Sequence, residues 1–359
     1  MKAAVLKAFG TPLSVEDIPA PTLGTGEVIV DVVATPVLAY AGEVYSGARK
    51  YLLDLPVVPG SGAVGRVRAF GPDATRLAIG DWVICDPTVR SRDDRQSPDI
   101  TLQALSAGSE GGLKLQRYFR DGGFAEQIRV PTENTVRLGA VEVADAVRWC
   151  ALGSLLVPYG GLLAGALQPG ETLVVNGATG KFGSAGVAVA LGIGAGCVIA
   201  TGRNAAALAD LERRFGARVR TVQMVVDEAE DRAAILAAAP GPIDMVLDLL
   251  PPDATVAQVR AAVMTVRPNG RVVLMGGVGM VDGSELALPY RWLMRNNITV
   301  RGQWMYPPDA PLRMVAMARA GLVDLAQFQF TAFALDDVAA AIAHAADTAG
   351  PFQMTVITP

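Results

Sequence analysis

Histidine is nearly missing from this chain: its 359 residues contain one, His344. Cysteine is also scarce, with Cys85, Cys150 and Cys197 far apart and no Cys-x-x-Cys pair. A zinc site needs clustered Cys, His and carboxylates, and a Ser-His-Asp triad needs a placed imidazole. Both chemistries are nearly excluded. His344 lies in "DDVAAAIAHAADTAG", an amphipathic helical pattern in which a lone histidine is usually structural. The cysteine spacing gives no disulfide framework and points to a reducing cytoplasm. Basic runs are missing too: Lys and Arg number 31 against 35 Asp and Glu, for a net charge of -4. That balance argues against a nucleic-acid partner. Long hydrophobic runs are absent. The most membrane-like stretch, Val187 to Ala200, is too short to span a bilayer and is broken by glycines. The opening "MKAAVLKAFG" lacks the apolar core of a signal peptide. No membrane partner is expected.

What is present describes a folded protein, 51% hydrophobic and 18% charged, and its length suggests two domains. Residues 1 to about 150 read as short β segments: "GEVIVDVVA" alternates apolar and polar, and "GDWVICD" enters a strand through a Gly-Asp turn. Such spacing suggests a twisted, partly closed barrel or sandwich. The polar segment from Pro87 to Gly123 reads as an excursion or long loop. From about Ser154 the rhythm changes. The apolar runs "TLVVNG", "GCVIATG", "RVRTVQMVV", "IDMVLDLL" and "GRVVLMGG" alternate with Ala-rich helical stretches, which predicts a parallel sheet covered on both faces. Three of these runs end in Gly, "TLVVNG" with an Asn before it, and "IDMVLDLL" carries an Asp near its end, as expected where a sheet's carboxyl edge meets a ligand.

The stretch "VVNGATGKFGSAGVAVA" (174–190) carries the strongest chemical signal. Ala178-Thr179-Gly180-Lys181-Phe182-Gly183 is the dinucleotide fingerprint with Ala in the first glycine position. Gly180 would let the backbone approach a pyrophosphate, and Gly183 would let the helix pack on the sheet. Free N–H groups and the helix dipole would hold the anion. Alone the pattern is weak; a strand before it, a helix after it and a second strand at the proper distance supply the context it requires. That second strand ends in Thr201-Gly202-Arg203-Asn204, with no carboxylate until Asp210. An NAD site would place Asp or Glu there, whereas a guanidinium can grip a 2′-phosphate. NADP(H) is the expected cofactor, with Gly202 making room and Arg203 supplying charge. Arg203 could otherwise be a solvated loop residue. Lys181 either adds positive potential near the phosphates or points into water.

With these motifs in hand the chain resembles the medium-chain dehydrogenase/reductase superfamily over essentially its whole length. "PTLGTGEVIVDVVA", "GDWV", "GGFAEQIRVP", "NGATGKFG", "RPNGRVVLMGG" and "NNITVRG" follow one another in that family's order. The resemblance implies an α/β fold: a Rossmann doubly wound parallel sheet inserted into a GroES-like β-rich catalytic domain. The latter would comprise 1–153 and 305–359, and the NADP(H)-binding domain 154–304. Zinc members carry a Cys where this chain has Leu38, and a His-Glu pair where it has Ser61-Gly62. Their structural-zinc lobe matches the Cys-free excursion. No zinc is therefore expected, and the resemblance narrows to the branch of quinone oxidoreductases and enone or enoyl reductases.

The same resemblance places Val157, Gly276 and Gly277 near the nicotinamide, and lines the substrate cleft with "AYAGEVYSGARKY". Tyr40, Tyr45 and Tyr51 fall there; Tyr45 and Tyr51 are the catalytic candidates, against the alternative of plain packing. Trp304 or Tyr306 would serve the cleft or a subunit interface. A homodimer or homotetramer is implied. The leading expectation is NADPH-dependent hydride transfer to a small activated alkene or quinone, whose conjugation delocalises the incoming charge. The alternatives are a metal-free NADP-dependent alcohol dehydrogenase or carbonyl reductase, and a low-turnover NADPH-binding sensor.

Overall fold

The computed structural model describes every residue from Met1 to Pro359. The chain divides into two compact units, one comprising Met1–Gly153, Leu325–Ala349 and Gln353–Pro359, the other Ser154–Asp324 with Gly350–Phe352.

The first unit is built on the eleven-residue strand Glu27–Val37, most of which is buried. It pairs antiparallel with Ala63–Phe70, with Gln127–Pro131 and, through Thr35 opposite Ile357, with the C-terminal strand Gln353–Thr358. Both ends of the chain thus contribute to one seven-stranded sheet, completed by Trp82–Cys85, Thr135–Arg137 and Gln329–Ala334. Val28, Val30 and Val32 project from alternate positions into a core shared with Val67, Val83, Ile128 and Val130. This is the period of two that the sequence displays.

The Pro87–Gly123 excursion is not a loop. It contains a three-stranded antiparallel sheet (Thr88–Arg90, Ile100–Leu102, Ser106–Ala107) and the helix Glu110–Tyr118. Its strands are only two or three residues long, too short to show a period, and Gly111 and Gly112 disguise the helix. Packing explains those glycines: a Cβ on Gly112 would lie 2.3 Å from the Ile100 carbonyl oxygen. Ser109 caps the helix, accepting from the Gly112 N–H at 3.0 Å.

In the second unit, six strands form one parallel sheet: β1 (Thr172–Asn176), β2 (Cys197–Gly202), β3 (Val219–Gln223), β4 (Ile243–Asp248), β5 (Val266–Leu274) and β6 (Thr299–Gly302). Their spatial order is 3-2-1-4-5-6, that of a doubly wound dinucleotide fold, so the order reverses between β1 and β4. The connecting helices include α1 (Leu152–Ala164, ahead of β1), α2 (Lys181–Ile193), α3 (Ala205–Phe215), α4 (Glu228–Ala238) and α5 (Val256–Val263). A short helix, α6 (Tyr290–Arg295), precedes β6, and α7 (Ala310–Arg319) follows it. All residues of β1 are buried, as a strand covered on both faces must be.

Two expectations are revised. The second crossing into the first unit lies at Leu325 rather than at residue 305. Tyr306 packs against Gly160 of α1, and Leu322 approaches Gly192 of α2, so 305–324 stays with the parallel sheet. The longest apolar helical run is Val143–Ala164 rather than the Val187–Ala200 stretch; it is long enough to cross a membrane by length and composition, but most of it is buried inside the protein.

Candidate functional site

The β1–α2 turn owes its shape to backbone crowding. Gly177 sits at φ +86°, a conformation L side chains rarely adopt. A Cβ on Gly183 would stand 2.0 Å from the Gly177 carbonyl oxygen and 2.7 Å from the Ala178 Cα, so only glycine lets α2 pack onto the turn. Gly180 is different: the nearest atom to an added Cβ is 3.5 Å away. Nothing in the fold demands glycine there, which leaves open surface above the start of α2. No side chain caps this helix. Its N-terminal N–H groups and dipole therefore form an anion cradle, with half-buried Lys181 and Phe182 in the first turn.

Beneath the cradle lies a polar ladder. Thr201, one residue before the end of β2, stands in register with Asn176 and Asp248, which end β1 and β4. The Thr201 hydroxyl donates to Asn176 Oδ1 at 2.7 Å, and Asn176 Nδ2 donates to Asp248 Oδ1 at 2.8 Å. All three are buried. Burial pushes the Asp248 carboxyl up to about 7, although N–H groups of Asn176 and Leu250 hold it back. The sequence showed only that these strands end in Asn and Asp; cross-strand register is what joins them. A Cβ on Gly276 would lie 2.6 Å from Asp248 Oδ2, and one on Gly277 would lie 2.8 Å from Pro252 Cγ. Both glycines let the β5 loop close down on the end of β4.

At the end of β2 the side chains play partly different roles from those expected. The space over Gly202 is filled from within: a Cβ there would meet Thr179 Cγ2 at 2.3 Å. Gly202 thus makes room for Thr179, not for a phosphate. Asn204 caps α3, accepting from the Ala207 N–H at 3.1 Å. Arg203 is exposed, and its Nη2 lies 3.6 Å from Asp253 Oδ2. Val157 is half-buried in α1 beside Pro158. Tyr306 is buried, whereas Trp304 is 47% exposed.

In the first unit, the segment after Leu38 folds into a short helix, Ala41–Tyr45. Tyr45 is buried, and loss of solvent, reinforced by Tyr40, holds its phenol far above the ordinary value despite an N–H from Gly60. Its surroundings are those of a packing residue. Tyr51 is half-buried, and its phenolic oxygen accepts from Arg49 Nη1 at 3.4 Å. Arg49 was not singled out by sequence reasoning, yet it organises this segment: its guanidinium lies 4.1 Å from the Tyr40 ring centre, and its Nε donates to Glu43 at 2.8 Å. No signal short of the fold links these residues.

The donor set does not fit a catalytic zinc. Leu38 offers no ligand, and Gly62 sits at φ +83° with Cys85 O 3.0 Å from where a Cβ would stand. A glutamate at that place would be strained. The Cys85 thiol is buried and held far above its ordinary value, chiefly by desolvation and further by Asp86, so it resists becoming the thiolate a metal needs. No three His, Cys, Asp or Glu side chains converge.

Two family models match the chain: an alcohol dehydrogenase GroES-like domain over residues 24–140 and a zinc-binding dehydrogenase domain over 182–319. An alcohol dehydrogenase of Rhizobium meliloti (strain 1021) is 31% identical over 178 residues, 49% of this chain and 51% of that protein. Only about half the length of the first two curated relatives is spanned. An L-threonine 3-dehydrogenase of Streptomyces coelicolor is 26% identical across 98% of this chain and 97% of its own. An acryloyl-coenzyme A reductase of Metallosphaera sedula is 26% identical across 81% of each. Among solved structures, a Sinorhizobium meliloti protein described as a zinc-binding dehydrogenase and bound to NADP superposes with a TM-score of 0.78 at 19% identity, covering 100% of this chain and 99% of that one. An Escherichia coli CFT073 alcohol dehydrogenase complexed with NADH reaches 0.79 at 19%, with the same coverage. These likenesses establish the fold, a GroES-like domain with a parallel-sheet Rossmann domain. With matched domains spanning well over half its length in the family's order, the chain belongs to the medium-chain dehydrogenase/reductase superfamily.

Proposed function

We propose that this protein is an oxidoreductase that takes NADPH and transfers hydride, without zinc, to a small activated alkene or quinone. The observation that carries the reading is the pairing of an open glycine cradle with a chain that lacks ligands at the zinc positions. A bound nicotinamide supplies the hydride. The chain's own contribution begins at the α2 N-terminus, whose N–H groups would hold the pyrophosphate between Gly180 and Gly183. Arg203 would hold the 2′-phosphate through charge-assisted hydrogen bonds. A conjugated acceptor spreads incoming negative charge over its own π system, so one hydrogen-bond donor on the carbonyl suffices. Tyr51 is the better candidate: because its oxygen already accepts from Arg49, its own proton is free to be donated outward. The similarity over 81% of each chain to an acryloyl-coenzyme A reductase, a relative named for reducing an activated alkene, agrees with this acceptor class.

A second reading is a metal-free NADP-dependent alcohol dehydrogenase or carbonyl reductase, favoured by the dehydrogenase names of the other relatives. The deciding experiment is nicotinamide oxidation in EDTA with a quinone, an enone and a simple aldehyde, NADPH against NADH. Turnover of the quinone or enone with NADPH alone supports the first reading. Turnover of the aldehyde alone replaces it with the second, and silence with tight NADPH binding favours a sensor. The assembly proposed is a homodimer or homotetramer. β6 ends the parallel sheet with every residue exposed, and α6 beside it exposes Tyr290 and Met294. Three buried free cysteines suit a reducing cytoplasm, the compartment proposed here.

A further inference from the structure

Arg203 has a rival partner. It follows β2, whereas Asp253 lies in the loop that follows β4, and β1 runs between those two strands. The 3.6 Å ion pair therefore reaches across the carboxyl end of β1, over the side of the sheet where the glycine cradle opens. The loop bearing Asp253 is fixed from both sides. Pro252 is packed against Gly277, and Thr255 starts α5 with a reciprocal cap to Gln258. Asp253 itself is 70% exposed and has no other cation within ion-pairing distance. A carboxylate is thus held beside the one guanidinium that the cofactor reading reserves for a phosphate.

We propose that Asp253 is a cofactor-specificity residue: it competes with the 2′-phosphate for Arg203 and so limits the preference of the site for NADP(H) over NAD(H). The inference rests on the assignment of Arg203 to the 2′-phosphate. In the free protein Asp253 neutralises Arg203; on binding, the phosphate dianion takes over the guanidinium and the carboxylate is released into water. A cofactor without the 2′-phosphate has no reason to displace it. Exposed ion pairs are weak, so the competition should reduce 2′-phosphate affinity by about two- to fivefold.

The test compares wild type, Asp253→Asn, Arg203→Gln and the double variant for affinity toward NADPH, NADH and adenosine 2′,5′-bisphosphate, read by fluorescence quenching or calorimetry rather than by turnover. Asp253→Asn is expected to tighten NADPH and the bisphosphate about two- to fivefold, to leave NADH unchanged, and to do nothing once Arg203 is gone. If Asp253→Asn weakens NADPH, the carboxylate positions Arg203 instead of competing, and the proposal falls. An equal shift for NADH also overturns it, as does no shift in a protein whose preference Arg203→Gln abolishes. Should Arg203→Gln leave the NADPH-to-NADH ratio untouched, the cofactor assignment itself fails, a result distinct from the other three.

Discussion

The glycine turn after β1 and the tyrosine segment after Leu38 were both singled out from sequence, and they fare differently. In the turn two glycines have a geometric cause, Gly177 taking a positive φ and Gly183 having a carbonyl oxygen where its side chain would be, while Gly180 faces open space where only a ligand would demand glycine. In the tyrosine segment the right residue types are present, but Tyr45 is packed and the organising group is Arg49. A site made of backbone leaves its constraint in the sequence as glycines at fixed offsets. A site made of side chains does not, because a tyrosine is written the same way whether it packs or donates a proton.

The contrast between Gly183 and Gly180 can be broken first, since the effect expected is largest. Gly183→Val should cost several kcal/mol, because the backbone must move to admit it, and should abolish NADPH binding along with the native melt. Gly180→Val should melt like wild type yet bind NADPH at least tenfold more weakly. If both variants melt early, Gly180 is structural and the cradle loses its support. Next comes Arg203→Gln, which should weaken NADPH by roughly 10- to 100-fold, the worth of a charge-assisted hydrogen bond or two, while NADH holds constant.

The tyrosines sharpen the other side of the comparison. Tyr51→Phe should lower kcat by about ten- to a hundredfold with no change in melting, whereas Tyr45→Phe should alter stability and spare kcat. The reverse outcome would exchange their roles. The smallest effect concerns Asp248. Its folded pKa, about 7, lies above the 3.8 of a free carboxyl, so the folded state keeps a proton that the unfolded chain releases. The contribution of Asp248 to stability therefore falls as pH rises from about 4 to about 7 and levels off above that. Asp248→Asn should flatten the dependence, so that its melting temperature at pH 8 exceeds wild type by roughly 2–4 °C for each kcal/mol regained. A difference in melting temperature between Asp248→Asn and wild type that stays constant across this range would contradict the buried protonated acid.

Much of the fold was legible because its strands are long enough to show a period. The alternation in 27–37 and the unbroken apolar runs of β1 and β4 identify half-buried and fully buried strands directly. The 87–123 lobe was not legible, since its strands fall below one full alternation and its helix contains two glycines. Nor was the role of Gly202, which depends on where Thr179 points. The Thr201–Asn176–Asp248 ladder needed register: the three residues are far apart in sequence and become neighbours only when parallel strands align. Arg203 could be read as a charge at a promising place, but its pairing with Asp253 depended on two loops meeting across β1.

The pairing of Thr35 with Ile357 also has a consequence in time. The strand 27–37 leaves the ribosome early, and one of its neighbours is made more than three hundred residues later. At roughly 5–20 residues per second the wait is on the order of half a minute, long enough for the parallel-sheet unit to be synthesised and to fold meanwhile. During that interval the N-terminal sheet carries an unpaired edge, a template for the wrong partner. The protein's yield in the cell should therefore depend on how well that edge is shielded before the C-terminal strand arrives.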